Sequence, residues 1–77
     1  MLARLIATAQ RAARIVLGAE ATPTEIWELT DSMRPWDWDD LAIEAGLRRP
    51  TAAEREAARD YLRLTATIDR EAGLLAL

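Results

Sequence analysis

Residues 37–54, DWDDLAIEAGLRRPTAAE, carry the punctuation that decides the fold. Asp37 suits a helix N-cap, and Asp39 and Asp40 follow in a first turn, where the helix dipole favours anions. Trp38, Leu41, Ala42 and Ala45 then recur at helical spacing. Gly46 ends that helix, because glycine takes a left-handed C′ backbone without a Cβ clash. Leu47 follows as an apolar plug. Thr51-Ala52-Ala53-Glu54 has the Thr-x-x-Glu pattern of a capping box and opens another helix. The stretch predicts helices over about 38–45 and 51–72, joined by a tight corner.

Upstream, Thr22-Pro23-Thr24-Glu25 is another capping box, with proline at its preferred N1 position. Ile26, Trp27, Leu29, Thr30 and Met33 carry this helix to about residue 33, where Pro35 disfavours α geometry in the residue before it. The first helix spans about 2–17. Leu2, Leu5, Ile6, Ala9, Ala13, Val16 and Leu17 share one face, Arg4, Thr8, Arg11 and Arg14 lie opposite, and Gly18 suits its C-terminal end. The basic face predicts packing beside the acidic segment that follows. Downstream, Ala57, Tyr61, Leu64 and Ile68 recur with 4-3-4 spacing, and Leu75 continues the register past Glu71. That stripe fits a core face or a seam for a second copy. Gly73 fits a C′ position, with Leu74 packing back on Ile68. Ala, Leu, Glu and Arg dominate and no apolar–polar alternation marks a strand. The expectation is one compact all-α domain of four helices over residues 1–77.

The 77-residue chain has ten Arg, no Lys, no His and no Cys. Without Cys there is no disulfide framework or thiol nucleophile, and without His no imidazole base or histidine metal ligand. Ser32, seven Thr and Tyr61 are the only hydroxyl nucleophiles, and no suitable base accompanies them. The three glycines are isolated at helix ends, so no phosphate loop is present. Asp37, Asp39 and Asp40 form the one metal-like cluster. Read as a calcium loop it has Ala42 where glycine is needed and Arg48 where a bidentate Glu belongs. The expectation is a non-enzymatic protein with no cofactor and no metal. No apolar run reaches the ~20 residues of a membrane span, and Arg11 and Arg14 interrupt any signal-peptide core, so the expected compartment is the cytoplasm.

The net charge of −3 hides a division. Arg4, Arg11 and Arg14 make residues 1–19 basic, eight acids against Arg34 give residues 20–44 a net −7, and residues 45–77 carry six Arg against five acids. Trp27, Trp36 and Trp38 all fall within the acidic segment. Tryptophan fills small cores and also anchors interfaces. Trp36, beside the Pro35 turn and outside any stripe, is the one expected to be exposed.

Residues 38–55, WDDLAIEAGLRRPTAAER, resemble the helix-turn-helix segment of bacterial and phage DNA-binding regulators. The likeness lies in Leu41-Ala42, Ala45-Gly46-Leu47 and Arg49-Pro50-Thr51. It implies a trihelical core built from the second to fourth helices, with Ala42 allowing a close crossing, Gly46 making the turn and Leu47 plugging the corner. It also implies a fourth helix whose N-terminal end enters the major groove. Arg48 and Arg49 would meet phosphate or guanine edges, Thr51 would touch phosphate, and Arg55 and Arg59 would line the backbone. Ala52 and Arg55 align with positions where the family carries bulky core residues, and Glu54, Glu56 and Asp60 would repel phosphate.

Two functions follow. One is a small DNA-binding regulator acting through Arg48, Arg49, Thr51, Arg55 and Arg59, with duplex DNA as partner and a homodimer to double its contacts. Its size would suit a phage or mobile-element accessory protein. The other is a protein-interaction module, such as an adaptor, inhibitor or assembly factor, holding a partner through Trp27, Trp36 and Trp38 of segment 20–44.

Overall fold

The computed structural model describes residues 1–75 as four helices: α1 (Leu2–Leu17), α2 (Pro23–Asp31), α3 (Pro35–Glu44) and α4 (Ala52–Leu75). No strand occurs among the described residues. The all-helical class is as the sequence indicated.

Both capping boxes form. The Thr22 backbone N–H donates to Glu25 Oε1 (3.0 Å), and the Glu25 N–H donates to Thr22 Oγ1 (3.2 Å). Thr51 and Glu54 repeat the exchange at 2.8 and 3.1 Å. Each box satisfies amide donors that a helix start otherwise leaves unpaired.

The end of α2 and the start of α3 differ from expectation. α2 stops at Asp31, because the Ser32 and Met33 amides turn back to the Leu29 and Thr30 carbonyls in tighter i−3 bonds (3.2 Å each). α3 begins at Pro35, three residues before the expected start at 38. Pro35 occupies N1, where its missing N–H costs nothing and its fixed φ suits the helix. Asp37 is therefore an N3 residue, and its carboxylate accepts the Arg34 backbone N–H at 2.9 Å.

The corner after α3 is a Schellman ending. Gly46 has φ +76°, its N–H donates to the Ile43 carbonyl (3.0 Å), and the Leu47 N–H reaches the Ala42 carbonyl (2.9 Å). Leu47 packs against the core. The corresponding ending expected at Gly73 is absent: α4 continues through it to Leu75, and Leu74 and Ile68 are both exposed.

Leu5, Ala9, Ala13, Ile26, Trp38, Ala42, Ala58 and Leu62 form the core cluster, and Ala66 and Thr30 are also buried. The Thr30 hydroxyl bonds within its own helix, 3.0 Å from the Trp27 carbonyl and 3.1 Å from that of Ile26. The broadest helix contact joins α2 to α4, and α1 touches all three other helices. α2 and α3 do not pack on each other, and α3 meets α4 least of the contacting pairs. The α2–α4 contact belongs to the expected trihelical core, but α1 packs on all three helices as well, and the helix-turn-helix arrangement of that core is not confirmed. α1 buries Leu5, Ala9 and Ala13 at i, i+4, i+8 spacing, and it leaves Leu2, Val16 and Leu17 of the predicted apolar face exposed.

The buried stripe of α4 also differs. It comprises Ala58, Leu62 and Ala66, while Tyr61, Leu64 and Ile68 face outward. Among the described residues no helix is long and apolar enough to cross a membrane.

Trp38 has 0% exposure and Trp36 has 56%. Trp38→Ala is expected to lower unfolding stability by about 3–5 kcal/mol, a large part of what a small domain has. Trp36→Ala should stay within about 0.5 kcal/mol of the parent. Urea melts followed by helical circular dichroism measure both.

Candidate functional site

The five residues proposed to meet DNA do not form one free face. Arg48 is exposed but engaged. Its guanidinium grips the Glu54 carboxylate through both terminal nitrogens (2.7 and 2.8 Å) and also donates to the Arg49 carbonyl at 3.1 Å. This bidentate pair ties the corner to the first turn of α4. Thr51 is exposed, and its hydroxyl is occupied in capping.

Arg55 and Arg59 are half-buried. Arg55 donates to the Pro50 carbonyl at 3.1 Å. Arg59 reaches across the fold to the Met33 carbonyl at 2.7 Å, just beyond the end of α2. α2 has no basic residue in its last turn, so Arg59 supplies from α4 the cation that a helix C-terminus favours. The Arg49 side chain is exposed and makes no hydrogen bond or ion pair among the described residues. Three of the four guanidinium groups expected on a DNA-facing edge, those of Arg48, Arg55 and Arg59, therefore hold α4, the corner and the end of α2 together.

The three tryptophans separate likewise. Trp38 is fully buried and unable to meet a partner, and Trp27 is half-buried against the core. Only Trp36 is exposed, with the Arg34 guanidinium 5.3 Å from its ring centroid. The physical reason lies in the α3 boundary: starting at Pro35 turns Trp38 inward and leaves Trp36 in the first turn on the opposite side.

A groove of about 330 Å³ lies between α1, α2 and α3. Ala9, Ala12, Ala13 and Val16 of α1 form one wall. Leu29, Met33 and Leu41 form the other, with Thr30 in the floor. Asp37, Asp40 and Glu44, at i, i+3 and i+7 of α3, also line it and are exposed. Asp40 and Glu44 have no ion-pair partner among the described residues. A shallower concavity of about 290 Å³ continues along α1 past Thr8, Arg11 and Ile15, sharing Ala12, Leu41 and Glu44 with the first. Among the described residues no three such side chains converge as a metal site.

Segment 20–44 supplies most of this groove, through residues other than the tryptophans. The sequence signal was the 3-4 spacing of Asp37, Asp40 and Glu44 beside Leu41. Its partner wall was hidden, because Ala12 and Val16 lie far away in sequence. No family model matches the chain, and comparison with curated proteins and with solved structures finds no match.

The Arg48 guanidinium and the Thr51 amide hold the Glu54 carboxyl at about 2, well below its ordinary value of 4.5. Stability from this staple is complete above the unfolded value and is lost as pH falls toward the folded one. The melting temperature of the parent should therefore fall more steeply than that of Glu54→Gln between about pH 5 and pH 2, which thermal melts across that range would check. Arg59→Leu should cost about 1.5–3 kcal/mol, the worth of a hydrogen bond from a charged group. Arg49→Ala should be nearly neutral, and urea melts distinguish the two.

Proposed function

We propose that the domain is a non-enzymatic protein-interaction module whose α1–α3 groove receives a basic amphipathic helix from a partner protein. The observation that carries this reading is the pairing of an apolar groove with a line of exposed carboxylates from Asp37, Asp40 and Glu44. An amphipathic helix laid in a groove anchors through apolar residues at i, i+3/i+4 and i+7. Flanking Arg or Lys side chains then meet the carboxylates, and complementary charge raises the rate of encounter and fixes orientation. Arg11, at the far end of the groove, sets a limit on where the partner's positive charges fall.

The DNA reading has less support. Four of its five contact residues are committed to internal hydrogen bonds, and the retained feature is the Gly46 corner with Arg49 free beside it. Phosphate contacts supply much of the affinity of DNA-binding modules, and one unengaged arginine supplies little.

The test uses a fluorescently labelled amphipathic peptide with Leu anchors and Arg flanks, titrated by anisotropy, beside a matched peptide with Glu flanks. The Arg peptide should bind, weaken as salt rises, and lose about tenfold in affinity with Asp40→Arg plus Glu44→Arg. The Glu peptide should gain what the Arg peptide loses. Equal binding of both peptides, or indifference to the charge reversal, would sink the reading. Salt-sensitive binding of random duplex DNA that Arg49→Ala abolishes would return the function to nucleic acid.

A further inference from the structure

α4 presents two stripes. Ala58, Leu62 and Ala66 face the core. Roughly 130° round the helix, Ala57, Tyr61, Leu64, Ile68 and Leu75 form a second apolar line, with Leu64 and Ile68 each 56% exposed and Leu75 89%. Among the described residues, Tyr61, Leu64, Ile68 and Leu75 are left exposed, and only Ala57 is half-buried. Its alternating four- and three-residue steps, carried through Glu71 to Leu75, are those of the a and d positions of a helix-against-helix seam. From Ile68 onward every described residue of α4 is exposed, so its last two turns run without tertiary support. An unsupported helix end in water is marginal, and helices owe most of their stability to packing.

We propose that two copies of this chain pair through α4, antiparallel, with the two helices crossing near residue 66. In that register Leu64 meets Ile68 of the partner copy, Ala57 meets Leu75, and Tyr61 meets Glu71. The choice of direction follows from Glu71, the one charged residue interrupting the seam. A parallel pair in register sets the two Glu71 carboxylates against each other. The antiparallel pair sets each beside a tyrosine hydroxyl, which can donate a hydrogen bond to it. At the margins, Asp60 falls opposite Leu74 and Thr65 opposite Thr65, so no like charges face across the seam. The unsupported end of each α4 is then covered by the first half of the other. This pairing is independent of the groove, which lies on α1–α3.

The experiment is sedimentation equilibrium of the full chain, with distances between nitroxide labels measured on Glu56→Cys. The chain has no other cysteine, and Glu56 is exposed and outside both stripes. The expected result is reversible doubling of the mass with concentration, reduced at least tenfold in association constant by Leu64→Glu or Ile68→Glu with helical content of the monomer retained. Labels ten residues from the crossing on each copy should lie about 30 Å apart or more along the pair. A chain that stays monomeric at hundreds of micromolar overturns the proposal. So does a label separation under roughly 20 Å, the side-by-side value of a parallel pair. A dimer that survives Leu64→Glu but dissociates on Asp40→Arg plus Glu44→Arg also overturns it, because the contact then lies in the groove.

Discussion

Everything in this structure depends on how closely its helices approach one another. Five of the nine buried apolar residues are alanines: Ala9, Ala13, Ala42, Ala58 and Ala66. An alanine face has little side chain to interpose, so helices meeting on one can approach more closely than helices meeting on larger side chains. Trp38, the largest fully buried side chain, supplies bulk that the alanines do not. Protein interiors hold few voids, so a ring in such a setting tolerates little change. The position of that ring is set by Pro35 and the Asp37 carboxylate at the start of α3. Moving the start by one residue would swing the indole by about 100°.

The same closeness explains which parts of the fold were legible in the sequence. Helix starts announced themselves chemically, since Thr22 with Glu25 and Thr51 with Glu54 have a fixed spacing that hydrogen-bond geometry demands. Gly46 did so as well, through the sign of its φ. The buried stripes were harder. Hydrophobic periodicity gives weight to large side chains, and on α4 the large ones mark the outward line of Tyr61, Leu64 and Ile68. The inward line is mostly alanine, chosen for proximity to α1 and α2, and an alanine carries almost no periodic signal. α1 repeats the pattern, burying Ala9 and Ala13 while Val16 and Leu17 stay outside. The packing of α1 on the other three helices was invisible for the same reason: residues that let helices meet are those that look least like a core.

The internal contacts of the arginines were not legible for a related cause. Sequence shows a guanidinium but not the carbonyl it will find. Arg59 lies 26 residues from Met33, and only the tertiary packing of α4 on α2 brings them together. Arg48 and Glu54, six residues apart, meet because the Schellman corner folds the chain back on the first turn of α4. A planar fork with five donors suits such tasks better than an ammonium would, and the chain uses arginine as its only basic side chain.

That use of arginine shapes the outward field. Of the C-terminal arginines, Arg55 and Arg59 are half-buried on backbone carbonyls, and Arg48 and Arg63 pair with neighbouring acids at the surface. Asp40 and Glu44 of α3 are left exposed with no ion-pair partner among the described residues. The groove between α1 and α3 therefore carries a negative rim although the chain as a whole is only mildly acidic. A potential confined to one cleft, with low-dielectric walls beneath it, concentrates cations more strongly than the same charge spread over a surface. The bundle thus converts a modest net charge into a directed one, by spending its basic groups on holding α4 in place.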